Sequence, residues 1–385
     1  MLNEKGERAL AYITTLDEIQ PIEGYDRVEH GRVGGWKCII NKADNMKVGD
    51  KVVYFEVDSK VPSNDDRFSF LEKRHFKIKS IKMCGTISQG LIMPINLFPE
   101  IRDKEIGTDV TDILKITHIE EDNNKSKLNP NAKYDSMRSR HKKLFKKRWV
   151  KWLMKRQWGK DLLFMFFGKK KDKPKGFPSF ISKTDEERIE NVPWRLEENK
   201  KWVVTEKLDG TSCTYALQRK GKNKFEFYVC SRNVRQKDET QSCYHDHNIY
   251  WDLAFKYDIE NKLKLILNVN PEMEWVAIQG EGVGSVQGNP LKLKEDDLYV
   301  FNYITSTQGR YNSYAGRTII EAWNMKWVPI IGIESLPNNL DEFKLQADGP
   351  STLNPDVLRE GYVYRSMDGK ESFKNISNKY LLSKH

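Results

Sequence analysis

Lys207 is the residue whose neighbours best suit it to act as a nucleophile. It closes the apolar run WVVTEK and is followed at once by Asp209 and Gly210, before a second run, TSCTYAL. A lysine amine becomes nucleophilic when nearby cations, desolvation or a metal ion hold it partly deprotonated. Glycine beside it lets the backbone approach a phosphate or sugar closely. Alone, K-x-D-G equally describes a surface lysine next to a turn. Further segments follow in order: Arg232 in CSRN, Glu281 at the end of an apolar run in AIQGEGVG, and Phe301 in DLYVFNYI. Glu360 then stands in REGYVYRS, and Lys374 and Lys379 in ESFKNISNKYLL. Nucleotidyl transfer needs such a set, because strand-end carboxylates hold a divalent metal, directly or through water, while lysines neutralise phosphate charge. Phe301 equally suits a core position, and Arg232 a surface ion pair.

The elements that must position these residues fall into three regions. From about Ala9 to Leu114, short alternating runs such as WKCIINKA, KVVYFEVDSKV and SQGLIMPI are broken by Gly, Pro, Asn and Asp. That spacing predicts a small β-barrel of OB type, with a β-sandwich as the other architecture periodicity allows. Residues 115–177 change character. NNKSKLNPNAKY is a linker, and HKKLFKKRWVKWLMKRQW predicts a basic helix with Leu144, Trp149, Trp152 and Leu153 roughly on one face. LLFMFFG is too short to span a bilayer and is expected to pack against a domain. Residues 178–385 alternate apolar strands with helix-compatible text such as NIYWDLAFKYDIENKLKLILN. The expected fold class is α+β, with domains at 1–114 (OB-type barrel), 115–177 (basic linker or insert) and 178–385 (antiparallel sheets and helices).

Composition narrows the partners. A 38% hydrophobic fraction in 385 residues suits globular domains, and no apolar run approaches a membrane span. The net charge of +10 is concentrated: from Lys125 to Lys175 there are 19 Lys or Arg against three acids. A dense cationic segment points to a polyanion, nucleic acid before anionic membrane, or to a solvated linker. Five cysteines at unpatterned spacing, and no apolar leader at the N-terminus, predict reduced thiols in a cytoplasmic or other reducing intracellular compartment.

Taken together, the ordered segments resemble the covalent nucleotidyltransferase superfamily of ligases and capping enzymes. The closer resemblance is to ATP-dependent RNA ligases that carry an N-terminal OB module, which IQPIEGYDRVE, VGDKVVYFEVDS and TISQGLIMPI also match. It covers roughly residues 8–114 and 178–382 and implies an ATP-grasp-like ligase domain in the last region. By that resemblance Lys207 is the adenylylated nucleophile, and Asp209 orients a metal and its waters. Glu281 and Glu360 hold metal-bound water or ribose hydroxyls, Phe301 stacks on adenine, and Lys374 contacts the α-phosphate. Arg232 contacts phosphate or ribose, and Arg188, in FPSFISKTDEERIENVP, is a further phosphate contact. Glu206, beside the nucleophile, joins the nucleotide-binding set. One departure stands out: Ile376 occupies the position where related ligases often carry a second lysine, so Lys379 takes that role or it is unfilled.

The resemblance implies an enzyme that uses ATP and Mg2+ or Mn2+ to seal 3′-OH and 5′-phosphate RNA ends, nicked duplexes among them, as a monomer without membrane insertion. Only eleven residues follow Lys374, leaving no room for the OB domain that DNA ligases and capping guanylyltransferases usually place there. A capping-type guanylyltransferase is the alternative enzyme, and a non-catalytic OB-containing RNA-binding protein the alternative of another class. Cys243, His245 and His247 lack the second ligand cluster of a structural zinc site, and no P-loop motif is present. Neutralising Lys142, Lys143, Lys146, Lys147 and Arg148 together is expected to flatten the salt dependence of RNA binding, measured as the slope of affinity against salt concentration.

Overall fold

The computed structural model describes residues 8–119, 144–167, 176–222, 224–236 and 248–383. Lys142, Lys143, Cys243, His245 and His247 lie outside these residues, as do the side chains of Lys146 and Arg148. The chain packs as two compact units, one of Met1–Val57, Ile78–Thr111 and Pro174–His385, the other of Asp58–Lys77 and Asp112–Lys173.

The N-terminal part of the first unit is built from β1 (Ala11–Thr15), β2 (Glu18–Ile22), β3 (Tyr25–Val33), β4 (Trp36–Asn41) and β5 (Lys51–Phe55). It is completed by β6 (Ser80–Met83), β7 (Thr86–Gln89) and β8 (Leu91–Pro94). β5 runs antiparallel between β1 and β8, β2–β3–β4 form a meander, and β6 pairs with β7. Period-two alternation sends Val52 and Tyr54 inward to meet Trp36, Cys38, Ile40 and Leu16. Trp36 and Tyr54 stack with centroids 5.6 Å apart.

In the second unit the basic stretch forms two short helices, α1 (Arg148–Met154) and α2 (Gln157–Phe167). Phe145, Val150 and Leu163 form their small core, with Phe164 and Phe167 against it. Thus part of LLFMFFG packs within the segment's own small core, whereas Leu162, Met165 and Phe166 are exposed. No helix among the described residues is long and apolar enough to cross a membrane.

The rest of the first unit holds two antiparallel sheets. The smaller is ordered β14 (Ile330–Ser335), β9 (Lys201–Lys207), β15 (Gly361–Ser366), β16 (Ser372–Ile376). The larger runs β11 (Lys224–Cys230), β10 (Thr211–Gly221), β12 (Trp275–Val283), β13 (Asp297–Thr305), with two-residue strands at its far side. One face of the larger sheet (Tyr215, Leu217, Val276, Ile278) packs on α3 (Ile249–Lys256) and α4 (Ile259–Val269) through Leu253, Leu263 and Leu267. The single amphipathic helix read from sequence is therefore two, broken where Asp258 turns left-handed at φ 47. The core behind the smaller sheet is aromatic: Trp202, Tyr364, Phe373 and Phe343 interlock, the last from α5 (Leu340–Gln346).

Residues 177–191 form a strap that crosses these parts without regular structure beyond one 3-10 turn. Phe180 and Ile181 pack on the larger sheet, and Arg188 bridges in parallel to Lys374 of the smaller one. The strap then reaches the barrel, where Gly35 N donates to Glu190 O at 2.7 Å and Trp36 Nε1 donates to Asn191 Oδ1 at 2.6 Å. Glu190 also forms a buried 2.7 Å ion pair with Lys344. A Cβ on Gly35 would stand 2.5 Å from Glu190 Cα, so this contact admits only glycine. Gly35→Ala is expected to destabilise by about 1–3 kcal/mol in urea unfolding, whereas Gly332→Ala, which meets open space, should change stability little.

Candidate active site

Strand alternation decides which side chains share the cleft between the sheets. In the smaller sheet Lys207 pairs with Gly361, and Lys374 with Val363, which places Lys207, Val363 and Lys374 on one face. The aromatic core lies on the opposite face. In the larger sheet Glu281 pairs with Ser212 and Tyr299, on the face turned away from α3 and α4. Gly210 brings these two strand ends together, since a Cβ there would lie 2.3 Å from Gly282 O. The glycine beside the lysine thus serves a backbone–backbone approach between neighbouring strands of the larger sheet, where the chain coming from β9 enters it.

Three carboxylates surround the Lys207 ammonium. Its Nζ lies 2.8 Å from Glu360 Oε2, and Glu281 and Asp209 act on it through space. Burial pulls the Lys207 pKa down, but Glu360, Glu281 and Asp209 outweigh it and hold the amine protonated above the usual lysine value. Glu281 responds oppositely. Burial first, then Glu360 and Asp209, push its carboxyl up to about 8 despite Lys207. Asp209 is buried and accepts a hydrogen bond from the Tyr380 hydroxyl, carried on α6 (Asn378–Ser383).

The strap supplies a fourth carboxylate. Asp185 Oδ1 lies 2.8 Å from Lys374 Nζ, and Asp185 Oδ2 lies 2.8 Å from Arg232 Nη2. Burial raises the Asp185 pKa, yet Lys374 and Arg232 hold it well below the usual carboxylate range. Lys374 itself is pulled below the usual lysine value by burial, with Arg188 and Lys207 adding to the effect and Asp185 opposing it. Neighbouring strap residues are anchored: Thr184 and Ser212 hydroxyls meet at 2.9 Å, and Glu186 takes Arg365 at 3.0 Å.

Lys207, Asp209, Glu281, Glu360, Lys374, Arg232 and Arg188 are therefore in electrostatic contact with one another. The Arg188 guanidinium also lies 5.6 Å over the Trp36 ring of the barrel. Phe301 is half-buried, with the Arg365 guanidinium 5.7 Å from its centroid. Two residues are placed elsewhere. Glu206 leaves the strand on the face opposite Lys207, where Oε2 accepts from Thr352 N at 2.8 Å. Lys379 is exposed, with Asp348 as its ion-pair partner at 3.8 Å, and Ile376 is buried. Sequence reasoning missed Asp185, Glu186 and Tyr380. Asp185 and Glu186 sit in the same TDEER run that drew attention to Arg188, but nothing in it showed which cations they would meet.

Asp209, Glu281 and Glu360 offer hard oxygen donors of the kind Mg2+ or Mn2+ takes. Among the described residues no three such groups converge tightly enough to hold an ion by themselves. Glu360 is engaged with Lys207 and Asp209 with Tyr380. This donor set fits an ion that keeps its own waters.

Comparison with known proteins agrees on both parts of the chain. A family model described as an OB-fold domain matches residues 10–95, and one described as RNA ligase matches residues 200–381. A substituted Naegleria gruberi RNA ligase with ATP and Mn is similar over 98% of this chain and 99% of that one, at 31% identity and a TM-score of 0.73. The Naegleria gruberi RNA ligase with PPi matches at the same identity and coverage and a TM-score of 0.74. Comparison with curated proteins returned no match.

The Glu281 shift has a consequence for stability. The unfolded chain ionises this carboxyl near 4.5, whereas the fold retains the proton up to about 8. The folded form binds more protons within that window, so its stability falls as pH rises through it. Glu281→Gln, compared with the wild type by urea midpoints at pH 5 and pH 8 without nucleotide or metal, should remove a decline of order 1–3 kcal/mol.

Proposed function

The chain belongs to the RNA ligase family, and on that premise we propose that Lys207 stores AMP as a covalent lysyl-AMP and passes it to an RNA 5′ end. The observation that carries this reading is the Lys207 ammonium, held 2.8 Å from Glu360 in a cleft that also contains Asp209, Glu281 and Lys374. ATP and a divalent metal are its cofactors. Asp209, Glu281 and Glu360 would hold the metal through water, and the bound ion would neutralise carboxylate and phosphate charge.

With the carboxylate charge balanced, Lys207 Nζ sheds its proton along the hydrogen bond to Glu360 Oε2. The freed lone pair attacks the ATP α-phosphorus in line with the departing pyrophosphate, so a P–N bond forms as the α–β P–O bond breaks. Lys374, Arg232 and Arg188 supply the positive charge that this transfer requires. A 5′-phosphate oxygen then attacks the same phosphorus and displaces Lys207, giving a 5′–5′ anhydride. Finally a 3′-hydroxyl attacks the RNA 5′-phosphorus, and AMP leaves. Phe301, with Val363 on the facing sheet, would flank the adenine. Glu206 would contribute through the position of its backbone, since its carboxylate is committed to Thr352.

The division into residues 1–114, 115–177 and 178–385 gives each region a task in this scheme. The barrel and the basic segment grip RNA, chiefly by its phosphates, and the last region performs the chemistry. A nicked duplex is the favoured substrate because it presents both ends pre-aligned. The scheme asks for one copy of the chain and treats the enzyme as a monomer. Buried Cys38, Cys213 and Cys230, all free thiols, accord with a reducing compartment.

Lys207→Ala and Lys207→Arg should abolish labelling by ATP carrying a labelled α-phosphate without unfolding the protein, although Lys207→Ala should melt earlier because Glu360, Asp209 and Glu281 lose their cation. Label retained in either variant moves the nucleophile elsewhere. Sealing of nicks with RNA or DNA on each side then tests the substrate, and failure on every nick with success on single strands would remove the duplex reading.

A further inference from the structure

Asp185 takes no part in the scheme above, yet it holds the position opposite two phosphate-directed cations. Its two oxygens are divided between them, each at 2.8 Å, one with Lys374 and one with Arg232. A carboxylate and a phosphoryl group present oxygens at similar spacing, so cations arranged for one accept the other. Both cations are within electrostatic reach of the reacting amine and its neighbours, since Lys374 senses Lys207 and Glu281 senses Arg232.

We propose that Asp185 is an internal phosphate mimic, a positioning residue that presets Lys374 and Arg232 and is displaced by the polyphosphate of the incoming nucleotide. The inference rests on the reading that these two cations contact phosphate. Two anions cannot share the pair without strong repulsion, so one leaves as the other arrives. The strap is pinned on both sides of Asp185, by the Thr184 hydroxyl to the Ser212 hydroxyl at 2.9 Å and by Lys374 N, which donates to Glu187 O at 2.7 Å. The exchange is therefore a rotation of one side chain, which already has 29% of its surface open to solvent. The device keeps two like charges in place without self-repulsion and opposes weakly charged anions, which cannot match the lost ion pairs. It acts on ground-state binding and leaves the attack itself untouched.

The test is pyrophosphate binding to the full-length protein by calorimetry, with self-labelling by ATP measured alongside. Asp185→Asn keeps the shape and removes the competing charge. It should tighten pyrophosphate by about tenfold and lower KM for ATP with kcat unchanged, while Asp185→Glu should resemble the wild type. Unchanged or weaker pyrophosphate binding by Asp185→Asn would make Asp185 a structural strut and overturn the proposal. If that variant fails to fold, added pyrophosphate should restore folding by taking over the pairing, and no rescue would likewise overturn it. Lys374→Ala and Arg232→Ala separate the two layers of inference. If both bind pyrophosphate as the wild type does, the phosphate role of the cations is wrong, whatever Asp185 does.

Discussion

A single amine among three carboxylates sets the terms for the rest of this molecule. An isolated buried lysine would shed its proton, and isolated buried carboxylates would take theirs up, because each charge alone is costly away from water. Facing one another across a cleft, they divide the cost: Lys207 stays charged and Glu281 becomes a weak acid. In the scheme proposed above, a bound divalent ion balances that negative charge and so frees the amine.

Holding that charge balance requires two sheets to be kept at a fixed distance, and the chain does this by three means. Gly210 lets the loop that leaves the lysine enter the larger sheet close against Gly282, which fixes where one sheet's chain passes into the other. An aromatic core of Trp202, Tyr364 and Phe373 stiffens the sheet that carries Lys207 and Lys374. The strap then ties the faces together, placing Asp185 and Glu186 against cations from both sheets and Asn191 against the barrel. Its continuation binds Glu56 of the barrel through Asn191 Nδ2 at 3.0 Å. The barrel and the cluster around Lys207 are thereby attached to one short, mostly polar segment.

Much of this was present in the one-dimensional text. Strand runs, Lys207 and its glycine, and the carboxylates Glu281 and Glu360 are local patterns, and local patterns survive without a fold because they report backbone geometry and alternation. The α+β class with an OB-type barrel followed for the same reason. The basic composition of residues 125–175 was equally legible.

Pairings between segments far apart in sequence were not legible, and they decide what each charged group does. Asp185 meets Lys374 from 189 residues away, and no spacing rule reaches across that distance. Glu206 stands next to Lys207 in sequence, but strand alternation sends its carboxylate to the other face. Lys379 is five positions beyond Lys374, but it turns to Asp348. The sequence by itself determined which chemical groups this protein owns and on which kinds of element they stand. Only the tertiary structure decided which charges oppose one another, because Coulomb energy depends on separation in space and on exclusion of water, and both arise when the sheets close.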